Sequence, residues 1–187
     1  MISEIQKKLK DNVDEEYKAF IQKLIPTGKK IYGVRMPVIN EIIKEYKNEG
    51  IPLVETLWKN ASHEERLIAA KILGKHAKKN PDKTFQLVFD YTQDLYDWAI
   101  CDTLATQSLK PLVEKYKKEI WQISDELIES KNEWQRRFAL VVIEYYTRYP
   151  KDHPRIKKQI AKVKDDNEFY VKKAVKWLER ELKKSEE

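Results

Sequence analysis

The chain has 187 residues, with 37 Lys and Arg against 31 Asp and Glu, three His, one Cys, four Gly and seven Pro. One domain spanning 1–187 is expected at that length, and five Trp and ten Tyr supply core material that a disordered chain lacks. A single cysteine excludes disulfide frameworks and Cys-rich zinc modules, and no apolar run approaches the roughly 20 residues of a membrane span. With no charged-then-apolar leader either, a cytoplasmic protein without membrane contact is expected. Neither the G-x-G-x-x-G nor the Walker phosphate loop occurs, and the G-x-S-x-G elbow is missing too. The net charge of +6 permits a polyanionic partner without requiring one.

In chain order, Ser3 caps a predicted helix that runs to about Leu24, with Ile5, Leu9, Val13, Tyr17, Phe20 and Leu24 recurring by threes and fours. Ile25 to Gly33 reads as a loop punctuated by Pro26, Gly28 and Gly33. Pro37 and Pro52 fall in the first turns of two further helices, where a missing N–H costs nothing. No segment alternates with a period of two for long enough to predict a strand. The class is all-α.

From residue 62 the chain repeats. Ser62, Asp97, Asn132 and Asn167 are N-cap residues spaced 35 apart, and Glu65 and Gln135 complete capping-box patterns. Ala69, Ala139 and Ala174 each lie seven residues after a cap, where a small side chain lets a neighbouring helix approach. Shorter helices are predicted around Asp82–Tyr91, Lys117–Ile128 and Pro154–Val163. A helix pair at this period marks a solenoid of HEAT or TPR type, and the TPR consensus is absent. The expected architecture is a HEAT-like helical-repeat solenoid, an α-α superhelix whose concave face is formed by one helix of each pair.

Residues that interrupt the apolar stripes carry the functional signal. Leu95, Trp98, Asp102, Ala105 and Leu109 form a stripe with a carboxylate inside it. Asp102, Arg137 and Lys172 each lie five residues after a cap, so the repeat predicts one strip along successive helices. Lys173, Trp177 and Arg180 place an aromatic between two bases. Two readings stand: an ion pair between repeats with core tryptophans around it, or an aromatic–carboxylate–cation strip facing a groove. Lys71, Lys75 and Lys78 read as a solvated helix face, with phosphate contacts as the lesser alternative. His63, His76 and His153 have no ligand spacing, so no metal site is expected, and Cys101 reads as packing.

Five segments carry a resemblance: Tyr32-Gly-Val-Arg-Met-Pro37, Leu57-Trp58 with His63-Glu-Glu-Arg-Leu67, Trp98-Ala-Ile-Cys-Asp-Thr-Leu104, Trp134-Gln-Arg-Arg-Phe-Ala139 and Lys173-Ala-Val-Lys-Trp177. In this order the chain resembles the AlkD family of DNA alkylation repair glycosylases, from about Phe20 to Lys184. The resemblance implies a catalytic Asp102 with Trp98 and Trp177 around the sugar, and Arg137 on a phosphate. It also implies DNA contacts by Arg136, Lys172, Lys173 and Arg180, with Phe20 as the N-terminal aromatic. Lys176 departs from the family, which usually has Gly there. Branches of the family that bind unusual DNA structures without catalysis keep the same fold, so a noncatalytic DNA binder and a protein-binding scaffold remain as alternatives.

The implied activity is excision of cationic N3- or N7-alkylated purines from double-stranded DNA by a monomer that needs no cofactor. Such a base leaves as a neutral molecule without a general acid. The remaining task is to stabilise an oxocarbenium-like sugar and to orient water, which one carboxylate can do. No lysine has an evident place for a Schiff base, so excision without strand cleavage is expected.

Overall fold

The computed structural model describes residues 1–25 and 28–185. Its helices are α1 (Ile2–Asp11), α2 (Glu15–Leu24), α3 (Met36–Tyr46), α4 (Gly50–Asn60), α5 (His63–His76), α6 (Pro81–Tyr91), α7 (Trp98–Thr103), α8 (Lys117–Leu127), α9 (Glu133–Val141), α10 (His153–Lys162) and α11 (Phe169–Lys184). There is no strand among the described residues. The fold is all-α and HEAT-like. The marked helices α5, α7, α9 and α11 form an inner row, each packed on the next, with α4, α6, α8 and α10 alternating between them in the chain.

Local hydrogen bonds explain where the expected starts hold. Ser62 Oγ accepts from Glu65 N at 3.3 Å, Asp97 Oδ1 from Ile100 N at 2.7 Å, and Asn132 Oδ1 from Trp134 N at 2.9 Å. Glu65 turns back onto the Ser62 hydroxyl, but Gln135 does not close a box. Its side chain goes instead to Ser130 Oγ and, at 3.1 Å, to Thr92 Oγ1. Asn167 caps nothing: α11 begins at Phe169, and Asp166 Oδ1 holds the Glu168 N–H at 2.9 Å in its place. Ala69, Ala139 and Ala174 are buried where the helices meet.

The expected helix from Ser3 to Leu24 is two helices. Asn12 Nδ2 donates to Lys8 O at 2.8 Å and ends α1, while Asp14 Oδ1 accepts from Tyr17 N at 2.8 Å and starts α2. Short polar side chains here out-compete the helical ladder. The apolar stripe breaks as well: Ile5 and Leu9 are buried, whereas Phe20 and Leu24 are exposed. Met1, not Ser3, occupies the α1 cap position. In the loop that follows, Pro26 and Thr27 lie outside the described residues. Gly33 is required, because its φ is 86° and a Cβ would stand 2.3 Å from Lys18 Cβ. The same segment is gripped by buried Glu64, whose carboxylate accepts from the N–H groups of Tyr32, Gly33 and Val34 at 2.9, 2.7 and 3.2 Å.

Helix α5 is buried almost all round, as befits the central helix of the stack. Gly74 on it meets the next inner element closely, since a Cβ there would lie 2.3 Å from Gln107 O. That element is α7, which continues as a π-helical turn over Leu104–Ser108. Cys101 is fully buried on α7, the packing role expected of it, and burial pushes its thiol pKa up.

Candidate active site

Helix α7 is fixed at its start and widened at its end, and both devices position Asp102. Asp97 caps the helix through one oxygen and meets His63 Nδ1, the first residue of α5, at 3.0 Å through the other. Beyond Asp102 the chain enters the π-helical turn, and Thr106 Oγ1 donates to the Asp102 carbonyl at 2.7 Å. Trp98 and Asp102 are four residues apart and share one face. Together they line a cavity of about 420 Å³, with Tyr17 and Ile21 of α2 and Leu67 and Lys71 of α5 among its other walls.

Arg137 grips the carboxylate as a fork. Its Nε donates to Asp102 Oδ1 at 2.9 Å and its Nη2 to Oδ2 at 2.7 Å, while Nη1 donates to the Tyr170 carbonyl of α11 at 2.7 Å. The Arg137 side chain is 7% exposed and that of Asp102 22%. Burial lifts the Asp102 carboxyl above its ordinary pKa, with the Arg137 fork working against the rise. The two readings of Asp102 therefore coexist: it is an ion-pair partner between repeats, and it also faces an open cavity.

The indole of Trp98 donates from Nε1 to Leu24 O at 3.3 Å, and Tyr170 Oη donates to the same carbonyl at 3.2 Å. The C-terminus of α2 is thereby tied to both α7 and α11.

The other expected residues fall in different places. Trp177 is half-buried against the core of α11 and does not line the cavity of Trp98 and Asp102. The α2 side chains that line it are Tyr17 and Ile21; Phe20 is 55% exposed and turned away. Arg137, expected on a phosphate, is buried with three guanidinium nitrogens already engaged. Arg136 is committed as well, to Asp166 at 2.6 and 3.2 Å and to Ser130 O at 2.8 Å. Burial pushes the Asp166 carboxyl up, but Arg136 and the Glu168 N–H outweigh it and hold the pKa low, with a smaller contribution from Lys172. Lys172 thus lies exposed towards Asp166, and the expected strip is a direct contact only between Asp102 and Arg137. Lys173 sits 4.6 Å above the Phe169 ring, and Arg180 meets Glu181 at 3.4 Å on the surface of α11.

A second cavity of about 550 Å³ opens beside the first. It is lined by Lys44, Lys47, Lys71, Lys75 and Lys110 with Asn40 and Gln107, and by no acidic residue. Lys71 and Gln107 belong to both cavities, so the two form one groove along the inner row. Among the described residues no carboxylate pairs with any of these five lysines. Lys71 and Lys75 of the expected lysine stripe line this groove, whereas Lys78 is exposed outside it. The sequence reading missed Lys44, Lys47 and Lys110. The three-residue spacing of the first two was a signal, but no pattern joins Lys110 to them.

A helical-repeat protein that holds a forked carboxylate and an indole beside a lysine-lined groove presents a cationic surface suited to a polyanion. The family model for DNA alkylation repair enzymes matches residues 5–187, and the chain belongs to that family. It is thus a member of a family of enzymes that repair alkylation damage in DNA. No curated protein matches the chain. No helix among the described residues is long and apolar enough to cross a membrane.

Proposed function

We propose that the protein is a monomeric DNA glycosylase that releases N3- or N7-alkylated adenine or guanine from double-stranded DNA. The observation that carries this reading is Asp102: a carboxylate facing a cavity, four residues from an indole on the same helix face and forked by a buried arginine. A cationic purine needs little help to leave. The developing charge on the sugar is met by a fixed anion, and a water held by the same carboxylate completes the reaction. Trp98 offers its π face to the cationic sugar.

Arg137 acts as a positioning residue, keeping Asp102 ionised and aimed. The lysines of the adjoining groove take phosphates. Lys172, Lys173, Trp177 and Arg180 on α11 flank the duplex, with Phe20 exposed on the α2 side. The chemistry calls for no metal or organic cofactor.

The test is incubation with methylated duplex DNA and chromatography of the released bases. Release of methylated purines, but not of uracil from a uracil-containing duplex, is the expected result. Binding without release would place the chain among noncatalytic DNA binders, and neither binding nor release would leave a protein scaffold.

A further inference from the structure

Lys71 lines the cavity of Trp98 and Asp102 as well as the lysine groove, a place for an imine-forming amine that the sequence spacing does not reveal. We infer that Lys71 is the nucleophile of a second activity, an abasic-site lyase that cuts the strand 3′ to the sugar from which a base has been lost. The inference rests on the proposal that the cavity of Trp98 and Asp102 seats that sugar.

Three observations converge on this residue. Lys71 is the one lysine lining that cavity among the described residues, so its side chain shares walls with Trp98 and Asp102. Its Nζ is held by neutral atoms, Asn40 Oδ1 at 3.0 Å and Met36 Sδ at 3.2 Å. The two cavity carboxylates that could keep it protonated are engaged elsewhere: Asp102 with Arg137, Glu64 with the N–H groups of Tyr32, Gly33 and Val34. Partial burial, together with the charge of Lys75 one turn on, lowers the Lys71 pKa.

The chemistry is redox-neutral. The ring-opened abasic sugar presents an aldehyde at C1′. The Lys71 amine adds to it, and the carbinolamine takes a proton from solvent and loses water to give an iminium ion. Water in the open groove takes the C2′ proton. The C–H electron pair becomes the C2′–C3′ double bond as the C3′–O bond breaks, and the departing phosphate stays as the 5′-phosphate of the downstream strand. A second water hydrolyses the imine, restoring Lys71 and leaving an unsaturated aldehyde on the upstream strand.

The experiment uses a duplex with a preformed abasic site, saturating protein and sodium borohydride, which reduces the imine to a stable secondary amine. The wild type is expected to give a protein–DNA cross-link that peptide mapping assigns to Lys71 and, without borohydride, a nicked strand ending in a 5′-phosphate. Lys71→Arg keeps the charge but forms no such imine, and should cut the cross-link at least tenfold at saturation. A bound abasic duplex with neither cross-link nor nick overturns the inference, as does a cross-link mapped to another amine. Base release from methylated DNA, measured on the same preparation, separates the two proposals. Release without cross-linking leaves the glycosylase standing alone, and cross-linking without release does the reverse.

Discussion

Along α3, α5 and the π-helical turn, five lysines line a groove that contains no carboxylate, whereas the groove between α6 and α8 is lined by Asp82, Glu119, Asp125 and Glu126 and contains no base. Several cations on or near the outer row are paired: Arg155 with Asp125 at 2.7 Å, Lys83 with Glu55 at 3.2 Å, and Lys117 with Asp152 at 2.5 Å. The modest net charge of +6 therefore understates the local field at this groove, where five lysines converge without a carboxylate. Two carboxylates line the adjoining cavity: Glu64 is taken up by the N–H groups of Tyr32, Gly33 and Val34, and Arg137 pairs with Asp102 while leaving it open to the cavity. Under the proposed function, that contrast gives the molecule a face for DNA with Asp102 as the reactive anion within it.

The largest effect should come from removing the anion. Asp102→Asn keeps the shape and one acceptor for Arg137, and should cut release of cationic purines by about 10²–10³-fold, as measured by chromatography of free bases. DNA affinity should hold, and folding stability should change by no more than about 1–3 kcal/mol. Wild-type release in this variant would dismiss Asp102 from the chemistry.

Removing the fork tests its two roles at once. Arg137→Met should cost about 2–4 kcal/mol in denaturant unfolding, since it strands a half-sheltered carboxylate that still sees some solvent. It should also move the acid limb of the excision profile. The reaction needs the ionised carboxylate and fails as pH falls through its pKa, which burial already raises. Without the arginine that opposes the rise, the limb must shift to higher pH. An unchanged limb would mean that another group sets it.

The lysine groove predicts a graded effect. Replacing Lys44, Lys75 and Lys110 with Ala should reduce the slope of log affinity against log salt by about 0.9 for each phosphate left without its lysine, readable by titration of duplex DNA. The smallest effect belongs to the outer face. Asp125→Asn with Glu126→Gln should leave DNA affinity within about twofold, and a larger change would put the duplex on the wrong side of the molecule.

Features that are local or periodic were legible in the residues alone. Ser62, Asp97 and Asn132 cap their helices because each needs only an N–H two or three residues away. The 35-residue repeat brought Asp102 to Arg137, since equivalent positions on successive inner helices face one another when those helices pack. Locality also explains the misses near residues 12–14 and 167, where Asn12 and Asp14 in the first case and Asp166 in the second shift a helix boundary.

Packing between helices, by contrast, chose the side of α2 that faces the cavity, putting Tyr17 rather than Phe20 in its wall. It also paired Arg136 with Asp166 and Arg137 with Asp102, and it gathered Lys44 of α3, Lys47 just after it, Lys71 and Lys75 of α5, and Lys110 beyond the π-helical turn around one groove. Those outcomes depend on the rotation of each helix about its axis and on how closely its neighbours approach. The apolar stripe of an amphipathic helix sets that rotation loosely, and close approach at small residues such as Gly74 settles it.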